Sequence, residues 1–158
     1  MQRIGIGSDI HRLSAGRPLI LGGVVIESPH GAEGHSDADA LTHAIIDAIL
    51  GALCEGDIGA HFPDTDPRWA GFDSLQMLDR VVWLAKEKKY SIVNVDCIIS
   101  LEQPKLRPHI QAMREKIAQT LGADIGCVSI KAKSGEGVDA VGEGRAIHAQ
   151  AVILLESV

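Results

Sequence analysis

The sequence predicts a single α/β domain over residues 1–158, with a mixed β-sheet and three main helices packed on it. Three observations predict it. Residues 4–11 alternate apolar with small or polar side chains, the period of a half-buried strand. Residues 41–53 place apolar side chains three and four apart, the period of an amphipathic helix. Strand-like and helix-like segments then follow one another to the C-terminus without repeat, linker or low-complexity tract.

In the first strand Ile4, Ile6 and Ile10 point one way, towards the expected core, while Gly5, Gly7, Asp9 and His11 point the other. Pro18 to Ile26 reads as a second strand, bulged at Gly22-Gly23. Ser28 to Gly34 is a loop. Ser36-x-x-Asp39 has the pattern of a helix start, with Ser36 as the cap and acids in the first turn. Leu41, Ala44, Ile45, Ala48, Ile49 and Ala52 give that helix its buried stripe. Gly56 to Gly71 is a loop rich in Asp, Gly and Pro. Asp73 or Ser74 opens a second helix with Leu75, Leu78, Val81, Val82 and Ala85 on its apolar face. Ile92 to Leu101 is a near-continuous apolar run, expected of a strand covered on both faces or packed at a subunit contact. A third helix carries Ile110, Met113, Ile117 and Leu121 and stops at Gly122. Cys127 to Lys133 alternates as a strand, a Gly-rich loop follows, and Ala146 to Leu155 is the last strand.

Apolar residues make up 46% of the chain and aromatics only 3%, so Ile, Val, Leu and Ala must build the core. A net charge of −6 without a Lys/Arg run argues against nucleic acid as partner. Lys86-Glu87-Lys88-Lys89 reads as the charged end of a helix. The three cysteines, Cys54, Cys97 and Cys127, lack C-x-x-C spacing and suit buried packing in a reducing compartment. No stretch approaches the ~20 apolar residues of a membrane span, and no N-terminal segment reads as a signal. The expected location is cytoplasmic, or an organelle such as a plastid if a targeting segment was removed.

On a strand, Asp9 and His11 share a face and can ligate one cation. His43 lies about 200° round the helix from Leu41, at 100° per residue, on a polar face with Asp39 and Asp47. Two imidazoles and a carboxylate suit Zn²⁺ with a fourth position open. Spacing leaves two readings open: a metal site, or merely solvated histidines. Asp47 is either a carboxylate orienting a ligand or an exposed helix acid. His35 and Ser36, at a helix N-terminus, suit a phosphate, though Ser36 also serves as a plain cap. The acids between Gly56 and Pro67 either make turns or bind a ligand. Leu101 to Arg107 leaves a strand end where backbone groups can read a base edge. Lys131, Lys133 and Ser134 offer charge and a hydroxyl for phosphates, with Glu136 as a candidate Mg²⁺ ligand; the Gly-rich loop there can equally be a hairpin.

Taken together, Gly7-Ser8-Asp9-Ile10-His11, His35-Ser36-Asp37-Ala38-Asp39, His43 with Asp47, Gly56-Asp57-Ile58-Gly59, Phe62-Pro63-Asp64-Thr65-Asp66-Pro67, Pro104-Lys105 and Lys131-Ala132-Lys133 strongly resemble the 2-C-methyl-D-erythritol 2,4-cyclodiphosphate synthase family. The resemblance runs from Ile4 to about Leu155. It implies one synthase domain, α+β with the sheet in a ferredoxin-like arrangement, assembled as a homotrimer with active sites between subunits. It implies Zn²⁺, or another divalent transition metal, on Asp9, His11 and His43, and Mg²⁺ or Mn²⁺ on Glu136. His35, Lys133 and Asp47 are implied as catalytic. Ser36, Asp57, Gly59, Phe62, Asp64 and Asp66 are implied to hold the phosphate and erythritol parts of the substrate. Leu101, Pro104, Lys105, Leu106, Arg107, Ala132 and Ser134 are implied to hold the cytidine diphosphate part. The implied reaction is an intramolecular phosphoryl transfer that releases CMP, with no membrane or nucleic-acid partner.

The chain departs from the family pattern at Lys133 and Gly135, where many relatives have Thr. It departs again over Gly142-Glu143-Gly144-Arg145-Ala146, where Arg and Glu are exchanged beside a cavity on the family's threefold axis. Two rival readings remain at this level. One is a metal-dependent phosphohydrolase with Asp47 or Asp66 as base. The other is a nucleotide-binding module with a structural metal, disfavoured because structural Zn²⁺ normally takes four protein ligands.

Overall fold

Glycines in the first strand decide how closely the first helix can lie on the sheet. The computed structural model describes residues 1–158. Strand β1 (Gln2–Ala15) is followed by the short strands β2 (Leu19–Leu21), β3 (Val24–Ile26) and β4 (His30–Ala32). Helix α1 (Ala40–Leu53), the one-turn helix α2 (Ile58–His61) and helix α3 (Ser74–Glu87) come next. Then follow β5 (Tyr90–Ser100), α4 (Ile110–Leu121), β6 (Val128–Lys133), the short α5 (Asp139–Gly142) and β7 (Ala146–Ser157).

The main sheet has the order β4-β1-β7-β5-β6. β7 runs antiparallel to both β1 and β5, while β5 and β6 are parallel, so the sheet is mixed. The parallel pair requires a crossover, and α4 supplies it. Helices α1, α3 and α4 pack together on one face of the sheet, the layered α+β arrangement expected, and the elements run β-α-α-β-α-β-β when the short pieces are left aside. No helix is long and apolar enough to cross a membrane.

The expected inward face of β1 is reversed. Ile4, Ile6 and Ile10 are 73%, 69% and 61% exposed, and the glycines face the helix instead. A Cβ on Gly5 would stand 1.8 Å from the carbonyl oxygen of Ala48. The helix answers with an i, i+4 row of alanines, Ala40, Ala44, Ala48 and Ala52, all buried. Small residues on both sides bring the two backbones together, and β7 adds Ala149 and Ala151 beside them. Because α1 is held this deep, all but Asp47 and Gly51 of its residues are buried. The amphipathic stripe read from the sequence was therefore too narrow, since it took one face of the helix for solvent.

Other boundaries also move. Pro18 to Ile26 is not one bulged strand but the β2–β3 hairpin, because Gly22 and Gly23 both take positive φ (+55° and +70°) and turn the chain back. The cap of α1 is Asp39, not Ser36; its carboxylate accepts from the Thr42 N–H, and no acid occupies the first turn. Asp39 is wholly buried and also accepts from the N–H groups of Gly22 and Gly23, which ties the hairpin to the helix. Burial raises its pKa against the pull of these hydrogen bonds. The Gly-rich segment after β6 is not a hairpin, since β7 inserts between β1 and β5 and never pairs with β6. β5 is covered on one face only: Val95, Cys97 and Ile99 are buried while Asp96 and Ile98 are half-exposed. Of the cysteines only Cys97 is buried, its thiol pushed up to about 12 by burial, and Cys54 is exposed.

Candidate active site

Asp9 and His11 sit two apart on the face of β1 that Gly5 and Gly7 present to α1. The close approach of that helix brings His43 over them. His43 Nδ1 lies 2.9 Å from Asp9 Oδ2, and His11 Nε2 lies 2.7 Å from the same oxygen. The two imidazole nitrogens are 3.4 Å apart. Three donor atoms of three residues thus converge on one point. His43, expected on a polar helix face, is 8% exposed.

Electrostatics in the trio follow from burial and pairing. For Asp9 burial works against the charge, yet its close contacts with the His11 and His43 rings outweigh it and hold the carboxyl well below the usual range. For His11 burial favours the neutral ring, but the Asp9 carboxylate wins and raises its pKa. The donor set fits a divalent transition metal: two nitrogens and one oxygen, clustered tightly, with no fourth side chain in the group. A cation with bonds of about 2.0–2.2 Å needs the three to spread only slightly.

The trio opens into a cavity of about 360 Å³. His35, Ser36, Gly59, Phe62 and Asp64 line it beside His11 and His43. The His35 segment is pinned by two backbone hydrogen bonds, Gly71 N–H to the His35 carbonyl (2.8 Å) and Asp37 N–H to that of Phe72 (3.2 Å). The His35 ring reaches the Asp66 carbonyl at 3.2 Å. Sequence reading missed Pro63, Trp69 and Met77, which also form the wall. Trp69 stands edge-on to both Phe62 and Phe72, an aromatic cluster that no periodicity announces.

Three predicted acids stand nearby with their carboxylates already engaged. Asp47 makes no hydrogen bond to the trio; its Oδ1 accepts from the Ile58 N–H at 2.7 Å and clamps the loop that begins with Asp57. Burial raises its pKa, and the charges of Asp57 and Asp9 add to this. Asp57 caps α2 through the Ala60 N–H (2.9 Å). Asp66 caps the turn Pro67–Trp69 and is gripped by the Arg68 guanidinium, which lowers its pKa.

The remaining predicted residues do not reach this cavity. Leu101, Pro104, Lys105, Leu106, Arg107, Ala132, Lys133, Ser134 and Glu136 gather around the ends of β5 and β6, outside its lining. Leu101 N–H donates to the Lys133 carbonyl (2.9 Å). Gly135 N–H donates to Glu102 (2.9 Å), and Ser134 Oγ donates to Glu136 (2.7 Å). Leu101 and Leu106 are buried, so only their backbones can meet a ligand. β7 separates β1 from β5, and β6 lies one strand beyond β5, about 14 Å from β1 at ordinary strand spacing. Lys131 is paired with Asp96 at 2.5 Å on the uncovered sheet face.

This geometry has counterparts. Residues 2–156 match the model of the YgbB family. The 2-C-methyl-D-erythritol 2,4-cyclodiphosphate synthase of Solibacter usitatus (strain Ellin6076) is 55% identical over 154 residues, covering 98% of this chain and 97% of that protein. A solved 2C-methyl-D-erythritol-2,4-cyclodiphosphate synthase in a CDP-bound form has a TM-score of 0.91 at 40% identity, over 98% of this chain and 100% of that one. The bifunctional IspDF of Campylobacter jejuni has a TM-score of 0.96 at 34% identity; it covers 100% of this chain, which spans 43% of that longer protein. By sequence along nearly its whole length and by fold, the chain belongs to the YgbB family.

Proposed function

We infer that this chain converts 4-diphosphocytidyl-2-C-methyl-D-erythritol 2-phosphate into 2-C-methyl-D-erythritol 2,4-cyclodiphosphate and CMP. The observation that carries the reading is the Asp9–His11–His43 trio opening into the cavity lined by His35, Ser36 and Gly59. An oxygen of the 2-phosphate forms a bond to the β-phosphorus. The bond from that phosphorus to the bridging oxygen breaks, and CMP leaves with the electron pair. The nucleophile belongs to the substrate, so the protein's task is alignment and charge neutralisation.

His35 and Ser36 hold the phosphates at the cavity mouth. Gly59, Phe62 and Asp64, on the loop clamped by Asp47, enclose the erythritol part. Backbone groups from Leu101 to Arg107 hold the cytosine, and Lys133 with Ser134 neutralises the departing phosphate. Asp9, His11 and His43 are the residues to hold Zn²⁺ or a similar metal, which supplies Lewis-acid polarisation of the phosphate oxygens when bound. Glu136 is the residue to hold Mg²⁺ or Mn²⁺ with the diphosphate. The grip of Arg68 on Asp66 counts against that acid as a hydrolytic base, and Asp47 is occupied by Ile58.

A homotrimer completes the site. The metal group and the nucleotide group stand apart on one chain, so neighbouring subunits each give one half. The uncovered sheet face supports this: Ile6 pairs in register with Val152 and Ile4 with Leu154, giving an exposed apolar patch of the kind that marks subunit contacts. The location that goes with this reading is the cytoplasm, or a plastid after removal of a leader.

Phosphorus NMR of the purified protein with this substrate and Mg²⁺ tests the reading. A cyclic diphosphate with equimolar CMP, lost on chelation and restored by Zn²⁺, is expected. CMP without a cyclic product would instead make the protein a hydrolase.

A further inference from the structure

Ser74 is the first residue of α3, and its side chain is 0% exposed. Its hydroxyl stands between an acid and a metal-site imidazole. One oxygen of Asp37 accepts the Ser74 backbone N–H at 3.0 Å, and the other accepts the Ser74 hydroxyl. An ionised carboxylate has no hydrogen to give. The hydroxyl hydrogen is therefore committed to Asp37, and Ser74 Oγ has only lone pairs to offer elsewhere. Its other neighbour is His43 Nε2, 2.8 Å away. That nitrogen must carry the ring hydrogen.

A neutral imidazole has one N–H. His43 Nδ1 is then a bare lone pair, held 2.9 Å from Asp9 Oδ2 and 3.4 Å from His11 Nε2. Two acceptors facing each other without a hydrogen between them repel, and a cation between them removes the repulsion. We infer that Ser74 and Asp37 are positioning residues that fix His43 in its Nε2–H tautomer and so present a ready donor to the metal. The inference rests on the reading of the trio as a metal site.

Ser36 Oγ also approaches His43 Nε2, at 3.1 Å, and accepts the Ala38 N–H at 3.4 Å. Its own hydroxyl hydrogen stays free for a phosphate. The two serines thus divide the work: Ser74 holds the ring and Ser36 can turn to substrate. Asp37 serves two elements at once, since the N–H it accepts is also the first unpaired donor of α3.

Two variants separate this role from a structural one. Ser74→Ala removes the nearer acceptor for Nε2–H (2.8 Å) and leaves only the Ser36 hydroxyl at 3.1 Å, which Asp37 does not orient. Asp37→Asn keeps size and shape; its one carbonyl oxygen can serve the Ser74 N–H (3.0 Å) or the Asp39 N–H (3.2 Å), and taking the shorter bond to Ser74 turns its NH₂ to Ser74 Oγ and reverses the chain. The serine hydrogen is then turned towards His43 Nε2, and the ring hydrogen moves to Nδ1, where it blocks the metal. Chelator competition with Zn²⁺ alone, without substrate, is expected to show about 10- to 100-fold weaker binding for both variants. Imidazole ¹⁵N spectra of the metal-free protein, taken where histidines are neutral, should show Nε2–H at His43 in the unaltered chain and Nδ1–H in Asp37→Asn. Should Ser74→Ala fail to fold, Asp37→Asn decides alone. Zn²⁺ affinity within about twofold of the unaltered protein in folded Asp37→Asn, or Nδ1–H at His43 in the unaltered chain, overturns the inference. An unaltered protein that binds Zn²⁺ but yields no cyclic product overturns the functional reading and leaves this one standing.

Discussion

Gly7 lies so close beneath α1 that a methyl group on it would stand 2.0 Å from the carbonyl oxygen of Ala44. The obstacle is backbone, which cannot swing aside as a side chain can. The same approach places His43, one residue before Ala44, against Asp9, two residues after Gly7. Packing and metal geometry are therefore set by one contact.

Gly7→Ala should cost about 2–3 kcal/mol of stability, at the upper end of overpacking effects. Urea unfolding measures it. Zn²⁺ affinity should fall in the same variant, because α1 can relieve the clash only by lifting His43 away from Asp9.

His43→Ala should abolish cyclic diphosphate formation and tight Zn²⁺ binding while leaving the proposed trimer intact, since His43 faces the cavity and not the uncovered sheet face. Phosphorus NMR and sedimentation check the two halves of this expectation. Full activity in the variant would remove the trio from the mechanism.

Asp47→Asn should stabilise the metal-free protein modestly at neutral pH. Burial raises the Asp47 pKa above its ordinary 3.8, so the folded state binds the proton more tightly than the unfolded chain. Stability contributed by this group is thus present below 3.8 and lost as the pH rises through the raised value. An asparagine oxygen keeps the Ile58 hydrogen bond without the charge. As the side chain is about half exposed, screening limits the gain to about 0.5 kcal/mol. Urea unfolding at about pH 7 and about pH 4 should show the gain at the higher value only.

Ile6→Asp should dissociate the proposed trimer. Ile6 is 69% exposed in the single chain and pairs with Val152 on the uncovered face, so a charge there costs little in the monomer. Sedimentation should show monomers that retain Zn²⁺ binding but form no cyclic product.

Strand and helix periods made the layered fold visible in the sequence and marked Asp9, His11 and His43 as candidates, but the family resemblance, not spacing, joined the three at one metal. Which face of β1 is inward was misread for a physical reason. Hydrophobicity assigns Ile4 and Ile6 to a core, yet a second apolar face can be covered by other subunits, while glycines admit a helix without being apolar themselves. Ser74 and Asp37 escaped notice because their partners lie far apart in the chain; Asp37 looked like a first-turn acid of α1 and instead meets the start of α3. Trp69 was hidden likewise, since it belongs to no repeated spacing, and Met77, four residues before Val81 on the apolar stripe of α3, carries nothing in that spacing to mark it as a cavity wall.

The distance between the two groups of site residues has a genetic consequence. In the proposed trimer each site joins the metal half of one chain to the nucleotide half of its neighbour. Chains carrying His43→Ala and chains carrying Glu136→Ala should each be inactive alone. Unfolded together and reassembled, every mixed trimer regains one site with both halves intact. Two defective alleles expressed in one cell should then complement each other, whereas a single chain carrying both changes should rescue neither.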